Sequence, residues 1–290
     1  MTTTTTDKAD AKAALSGFLR NYSSEVTARD RKSIEAAREL LPQGAEVFIA
    51  AIPGESADRL VAAAVQLREA GMVPVPHIVA RNIESRRELE DLIARLVAEA
   101  GLDRALMLGG DRDKPAGAFD CSLQLLQSGV LQKNNISRIF IGCYPEGHPR
   151  VADAVLESAR AAKLRLAAEL GLDVTLISQF CFDPKPVIAL ARHMRALGVT
   201  APFRVGVAGP AERATLIKYA LMCGVGASMR ALKERHDLAR SVLTGETPEA
   251  LLTEVAQAQA AEPALGLSGV HFFTFGALAK SAQWAEEHLR

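Results

Sequence analysis

Hydrophobic and polar positions follow a pattern that occurs eight times along the chain. In each unit a short apolar or β-branched run ends in a polar or glycine-rich turn, and a segment with the apolar periodicity of an amphipathic helix follows. Several of the runs are continuously apolar, which is typical of parallel strands that are buried on both faces. The predicted strands cover residues 21–27, 45–52, 72–79, 104–110, 138–144, 173–180, 203–209 and 269–275.

The segments between these strands carry the start and stop signals of helices. Residues 85–101 place apolar side chains on one face and end at Gly101, which suits a helix C-terminus. The stretch 226–262 is long enough for two helices, the second with Thr247 as N-cap and Pro248 as its first residue. Eight alternating units predict a single (β/α)₈ barrel, an α/β fold, rather than a doubly wound sheet.

No break in composition divides the chain, so we expect residues 19–290 to form the barrel. Residues 1–18, which begin MTTTTTDKAD, are expected to be a disordered tail. The start lacks the apolar segment of a signal peptide, and no apolar run approaches the roughly 18 residues that cross a bilayer. The four cysteines are widely spaced and form no zinc-binding pattern. These features favour a reduced, cytoplasmic protein without a bound metal.

Composition and charge exclude two classes of protein. Lys and Arg number 34, Asp and Glu also number 34, and 49% of residues are hydrophobic. A disordered chain would have low hydrophobicity and a high net charge, and a nucleic-acid binder would carry a basic excess. We therefore expect a small-molecule substrate and neither a nucleic-acid nor a membrane partner. The sequence is compatible with a homo-oligomer but does not determine the oligomeric state.

Polar side chains follow most of the predicted strands. In (β/α)₈ barrels the ligands and the catalytic groups lie at the C-terminal ends of the strands. A polar residue there is therefore a better functional candidate than one on a helix surface. These candidates are Glu25, His77, Asp111, Tyr144, Glu146, His148, Gln179 and Asp183.

Segments at these strand ends resemble the motifs of the methylenetetrahydrofolate reductase family. The segments are SSEVTARD (23–30), LGGDRDKPAG (108–117), CYPEGHP (143–149), SQFCFD (178–183) and VHFFTF (270–275), in the order and approximate spacing of that family. The resemblance covers nearly the whole chain after residue 20, and CYPEGHP followed by SQFCFD is its most specific part. It implies an oxidoreductase that interconverts 5,10-methylenetetrahydrofolate and 5-methyltetrahydrofolate with NAD(P)H.

The resemblance also implies which residues face the folate. Glu25 would be the general acid that protonates N10 while the imidazolidine ring opens. Asp111 would stabilise the iminium cation that results, and Gln179 would contact the pterin through its amide. Phe182 and Phe273 are expected to line the substrate pocket.

Each of the three polar residues also has a structural interpretation that the sequence leaves open. Glu25 would cap the helix that begins near Asp30. Asp111 would be an N-cap or a turn residue after two glycines. Gln179 would tie neighbouring strands together.

The resemblance implies that His77, Tyr144 and His148 contact a flavin. A single histidine is more often a satisfied structural group than a ligand, and CYPEGHP is also a rigid turn. In that turn Pro145 and Pro149 would fix the backbone and open the next helix.

Several positions that serve the flavin or its phosphates depart from the family pattern. The aromatic residue that packs on the flavin is replaced near Asp120, and Gly109 stands in place of an arginine. A lysine before the sixth strand has no clear counterpart, and Ala277 replaces another arginine, with Lys280 nearby. Losing cations weakens diphosphate binding. We therefore expect weak FAD binding, or direct hydride transfer between the nicotinamide and the folate.

A glycine-rich segment and two cysteines also bear on the site, and two other functions stay open. Residues 207–214 (VAGPAERA) form either an anion-binding helix start or a tight turn with a left-handed residue. Cys143 and Cys181 are expected to be small buried hydrophobic residues, not nucleophiles. The alternative functions are a pterin-binding barrel methyltransferase or lyase, and a non-catalytic folate- or flavin-binding subunit of a demethylation system.

Overall fold

The eight strands close into a parallel barrel in chain order, which confirms the predicted (β/α)₈ fold. The computed structural model describes residues 3–52, 54–225 and 247–290. The strands are β1 (Ser23–Thr27), β2 (Glu46–Ala50), β3 (Val73–Val79), β4 (Arg104–Leu108), β5 (Arg138–Cys143), β6 (Asp173–Ser178), β7 (Phe203–Ala208) and β8 (Leu267–Phe273).

Helices alternate with the strands. They are α1 (Thr3–Leu19), α2 (Arg31–Leu40), α3 (Ala57–Glu69), α4 (Arg86–Ala100), α5 (Ser122–Gln127), α6 (Val130–Lys133), α7 (Asp153–Glu169), α8 (Pro184–Ala196), α9 (Arg213–Met222), α10 (Glu249–Ala261) and α11 (Leu278–Leu289). Short 3₁₀ turns cover Ala80–Asn82 and Pro263–Leu265.

The apolar runs of the sequence form strands that are buried on both faces. Val47, Phe48 and Ile49 of β2 all have no exposed surface. One face of such a strand points into the barrel and the other packs under the helices. The barrel closes where β1 pairs with β8, with Ser23 opposite His271.

Helix α4 has the predicted form. Its side chains Leu89, Leu92, Ile93 and Leu96 are buried. It ends at Gly101, which adopts the left-handed φ of 60° that a residue with a side chain adopts only at a cost. The apolar periodicity and the glycine were therefore sufficient to place this helix.

The N-terminal segment differs from the expectation of a disordered tail over residues 1–18, because α1 covers most of it. Leu15, Phe18 and Leu19 near its end are buried. The helix packs against α10 and α11, and Ser16 donates a hydrogen bond to the Leu289 carbonyl at 3.3 Å. This tertiary packing stabilises a helix that its threonine-rich start does not favour.

The predicted pair of helices within 226–262 is described only in part. The prediction of a first helix there falls on residues 226–246, which lie outside the described residues. The second is α10, and its N-cap is Pro248 rather than Thr247. The predicted position of the cap was therefore wrong by one residue.

The residues group into two compact units. Unit 1 takes its residues from Met1–Ser24, Cys143–Arg150 and Ile177–Arg290, and unit 2 from Glu25–Gly142 and Val151–Leu176. Candidates Glu25, His77 and Asp111 belong to unit 2. Unit 1 holds the remaining candidates, which are Tyr144, Glu146, His148, Gln179, Phe182, Asp183 and Phe273.

Candidate functional site

Glu25 and His77 meet in unit 2, where β1 and β3 carry their side chains to each other. Nε2 of His77 lies 3.3 Å from Oε2 of Glu25, and the two side chains are only 9% and 17% exposed. The distance is that of an ion pair, but Nε2 is not aligned for a hydrogen bond. The His77 ring lies edge-on to Phe48, with 6.3 Å between centroids. The carboxyl group is thus shielded from water and has a titratable neighbour.

The helix-cap interpretation of Glu25 is wrong, because Asp30 caps α2. The Asp30 carboxylate accepts a hydrogen bond from the Ser33 backbone N–H at 3.1 Å and another from the Ser33 hydroxyl at 2.6 Å. Asp30 therefore uses both of its carboxylate oxygens to cap the helix. Glu25 therefore does not cap this helix.

Asp111 lies on the loop of residues 109–121, between β4 and α5, and its side chain is exposed. The residue at the N-cap of α5 is Cys121, so the N-cap interpretation of Asp111 is wrong. Its position in a bend after Gly110, whose φ is 103°, still fits a turn residue. The assignment of Asp111 to the iminium stays a prediction.

Gln179 is the first residue after β6. Its backbone N–H extends the ladder by donating to the Cys143 carbonyl at 2.8 Å. Its side-chain oxygen accepts a hydrogen bond from the next residue, Phe180, at 3.0 Å. The backbone rather than the side chain therefore ties the strands, and the folate contact of the side chain stays a prediction.

Phe182 and Phe273 belong to an aromatic cluster of unit 1 that surrounds the buried ring of Phe180. Their centroids lie 5.9 Å and 5.4 Å from it, and Phe275 lies 5.3 Å away. Phe275 also stacks on Tyr219 at 4.3 Å. Its φ of 49° is rare for an aromatic residue, so packing in this cluster outweighs the backbone cost. Phe182 and Phe273 are half-buried, which suits the lining of a pocket.

Tyr144 and His148 face each other across a tight turn. Their rings meet edge to face, with 4.9 Å between centroids, and the Gly147 N–H donates to the Tyr144 carbonyl at 3.1 Å. Gly147 has a φ of 79°. The rigid turn is confirmed, but Pro149 does not open the next helix, since α7 begins at Asp153.

The cysteines near this turn are structural, as expected. Cys143 and Cys181 are each 2% exposed. Burial raises the pKa of the Cys181 thiol well above its usual value, and the negative charges of Glu146 and Asp183 add to this. A thiol with a raised pKa is a poor nucleophile. Asp183 itself caps α8 by accepting a hydrogen bond from the Lys185 N–H at 3.0 Å.

The glycine-rich segment after β7 does not contain the left-handed residue of one interpretation. No described residue of 207–214 has a positive φ. Gly209 is needed for close packing instead, because a Cβ there would lie 2.1 Å from the Ser281 hydroxyl oxygen. Glu212 stands at the N-cap of α9, where a carboxylate competes with any other anion for the helix terminus.

The positions that the resemblance assigns to a flavin make internal contacts. His77 faces Glu25, and Tyr144 and His148 face each other. The Asp120 carboxylate, at the position of the family's aromatic residue, is paired with Arg81 at 2.7 Å. Nothing in the sequence pattern singled out Arg81, because its partners lie on a distant loop.

Within residues 3–52, 54–225 and 247–290 no group of three or more His, Cys, Asp or Glu side chains is arranged to hold a metal ion. None of the helices described there combines the length and the apolar character needed to cross a membrane.

No family model matches the chain. A similar solved structure is dihydropteroate synthase from Thermus thermophilus, with 16% sequence identity, coverage of 92% of this chain and 93% of that chain, and a TM-score of 0.47. Another is 2,3-dimethylmalate lyase, a member of the PEP mutase/isocitrate lyase superfamily, with 10% identity, coverage of 96% and 84%, and a TM-score of 0.49.

Proposed function

We propose that the protein is a methylenetetrahydrofolate reductase that interconverts 5,10-methylenetetrahydrofolate and 5-methyltetrahydrofolate with NAD(P)H. The observation that carries this proposal is the shielded pair of Glu25 and His77, with 3.3 Å between Oε2 and Nε2. Opening of the imidazolidine ring requires a proton on a departing amine, which a positioned carboxyl group can donate. The strand-end motifs of the sequence support the same reaction.

In this reaction Glu25 donates its proton to N10 of the substrate. The bond between N10 and the methylene carbon breaks, and the N5 lone pair forms the 5-iminium cation. Hydride then passes from C4 of the dihydronicotinamide to the methylene carbon, which gives the methyl product and NAD(P)⁺. In this proposal His77, whose Nε2 lies 3.3 Å from Oε2, would return a proton to Glu25 once the two side chains align.

Two further residues have roles in the proposal. Asp111 would stabilise the iminium charge through its carboxylate. The Phe180 backbone N–H donates to the side-chain oxygen of Gln179. Gln179 would hold the pterin through the hydrogen-bonding capacity of its amide that remains. The two roles can be tested separately by substituting Asp111 and Gln179 one at a time.

FAD does not fit the residues at the positions that the resemblance assigns to it. The aromatic packing position is an aspartate paired with Arg81, and the arginine position is Gly109. A flavin diphosphate needs cations, and its ring needs an aromatic or apolar surface. We therefore propose direct hydride transfer, without a flavin step.

The experiment is NAD(P)H oxidation that depends on methylenetetrahydrofolate, measured with purified protein and without added FAD. Glu25→Gln should lower kcat by about 10²–10⁴-fold, the usual contribution of a positioned general acid. Glu90→Gln is the matched control, because Glu90 is a helix carboxylate paired with Arg86 in the same unit.

Three outcomes would contradict parts of the proposal. Equal kcat in wild type and Glu25→Gln would remove Glu25 from the reaction. Folate binding without NAD(P)H oxidation would favour the non-redox barrel enzyme or the non-catalytic binding subunit. Oxidation that appears only with FAD would contradict direct transfer.

A further inference from the structure

Arg81 is bound to four points of the loop that carries Asp111. Its backbone N–H donates to the Gly109 carbonyl and its carbonyl accepts from the Ala116 N–H, both at 2.9 Å. Its guanidinium Nη1 donates to the Arg112 carbonyl at 2.7 Å, and Nε donates to the Asp120 carbonyl at 2.9 Å. The start, middle and end of the loop are therefore attached to a single residue.

The guanidinium also forms an ion pair within this arrangement. Its Nη2 lies 2.7 Å from Oδ1 of Asp120, and the Arg81 side chain is 28% exposed. A planar guanidinium can donate to several acceptors in fixed directions, which a lysine ammonium cannot reproduce. Arg81 thus joins residue 112, next to Asp111, to residue 120 at the far end of the loop.

Two glycines let the loop lie against the segment that contains Arg81. A Cβ on Gly110 would lie 2.5 Å from Cγ1 of Val79, and a Cβ on Gly117 would lie 1.8 Å from the Glu84 carbonyl oxygen. Both contacts flank Arg81 in the chain. The loop is therefore in close contact with residues 79–84 on both sides of the arginine.

We propose that Arg81 is a positioning residue that fixes this loop and thereby holds Asp111 in place for the reaction. The catalytic part of this inference rests on the proposed function. Arg81 follows β3, the strand that carries His77. The segment after β3 therefore positions Asp111 through Arg81, while β3 itself positions His77, the neighbour of Glu25.

The anchoring is tested by limited trypsin digestion of the folded protein. The loop contains Arg112–Asp113, which trypsin cuts, and Lys114–Pro115, which it cuts poorly. Arg81→Ala should speed the cut that gives fragments 1–112 and 113–290 by about tenfold or more, since loss of even one charged hydrogen bond shifts local opening by about that factor. Arg86→Ala should not, although Arg86 also joins a carboxylate and a carbonyl, those of Glu90 and Ser128.

The catalytic part is tested by a double-mutant cycle in the reductase assay. Arg81→Ala should lower kcat by about 10²-fold, a typical effect of a misplaced catalytic group, and leave KM for NAD(P)H nearly unchanged. Arg81→Lys should recover only part of this. In an Asp111→Asn background the Arg81→Ala substitution should cost little more, because both act through one side chain.

The outcomes separate the two proposals. Unchanged digestion at Arg112 overturns the anchoring, and additive effects in the cycle overturn the action through Asp111. If wild type does not reduce methylenetetrahydrofolate, the catalytic part falls with the proposed function, while the digestion still decides the anchoring. A general loss of stability would make all trypsin sites faster, including those outside residues 109–121, and would also overturn the inference.

Discussion

Gly109 and Gly110 are neighbours before Asp111, yet alanine should destabilise the protein at only one of the two positions. Gly110 has a φ of 103°, and a Cβ there would lie 2.5 Å from Cγ1 of Val79. At Gly109 a Cβ would meet nothing within 4 Å, and φ lies outside the left-handed region. We therefore predict that Gly110→Ala destabilises the protein and that Gly109→Ala does not.

The magnitude for Gly110→Ala follows from two costs. The unusual φ costs about 1–3 kcal/mol for a residue with a side chain. The contact with Val79 lies about 1 Å inside ordinary carbon–carbon separation, and overpacking of this kind costs about 1–3 kcal/mol. The lower entropy of the unfolded alanine chain offsets about 0.4–1 kcal/mol. The net loss should be about 1–5 kcal/mol, whereas Gly109→Ala should be neutral or gain up to about 1 kcal/mol.

The assay is urea denaturation of both variants and of wild type, followed by circular dichroism, with the midpoint and the slope fitted together. If Gly110→Ala is instead accommodated by a shift of the loop, its stability loss will be smaller and trypsin will cut faster after Arg112. Equal stability and equal digestion of the two variants would refute the conformation that we describe for this loop.

Three further predictions concern separate parts of the molecule. The hydrogen-bonded Arg104 guanidinium lowers the pKa of the Asp103 carboxyl, so this stabilisation is fully present above the unfolded pKa of about 3.9 and is lost as pH falls through the folded-state pKa. Asp103→Asn should therefore lower Tm at pH 7, and the difference from wild type should shrink as pH falls below about 4 and vanish below the folded-state pKa. Gln179→Ala should weaken folate binding by about 1–3 kcal/mol in a calorimetric titration, and unchanged affinity would mean that the amide does not face the ligand. Cys121 is exposed whereas burial raises the pKa of Cys181, so a thiol reagent should modify Cys121 quickly in the native protein and Cys181 only after unfolding.

The sequence was sufficient for the barrel because its strands are short apolar runs with clear boundaries. The VFI run of β2 is fully buried, and Gly101 ends α4 as its position after the last apolar residue indicated. Helix α1 could not be predicted in the same way, since its first residues favour neither helix nor burial. Its stability comes from contacts with α10 and α11, which follow more than two hundred residues later in the chain.

For the candidate site, the sequence could predict only those residues that follow the ends of strands. Glu25 and His77 were both candidates, but the resemblance assigned them to different ligands, and only the fold brings them to 3.3 Å. Arg81 could not be found, because its carbonyl and carboxylate partners lie on a loop that has no regular periodicity. Contacts of this kind depend on the path of the backbone and not on residue type.

The proposed direct hydride transfer to methylenetetrahydrofolate is tested most directly by isotope transfer. Flavin-free protein would be incubated with NAD(P)H that carries deuterium on one face of C4, and the methyl group of the product would be examined by mass spectrometry and NMR. We predict one deuterium per methyl group from one face only, without loss to solvent, because a dihydronicotinamide held at reacting distance transfers hydride without exchange. The absence of methyl product without FAD, or loss of the deuterium to water, would contradict the account.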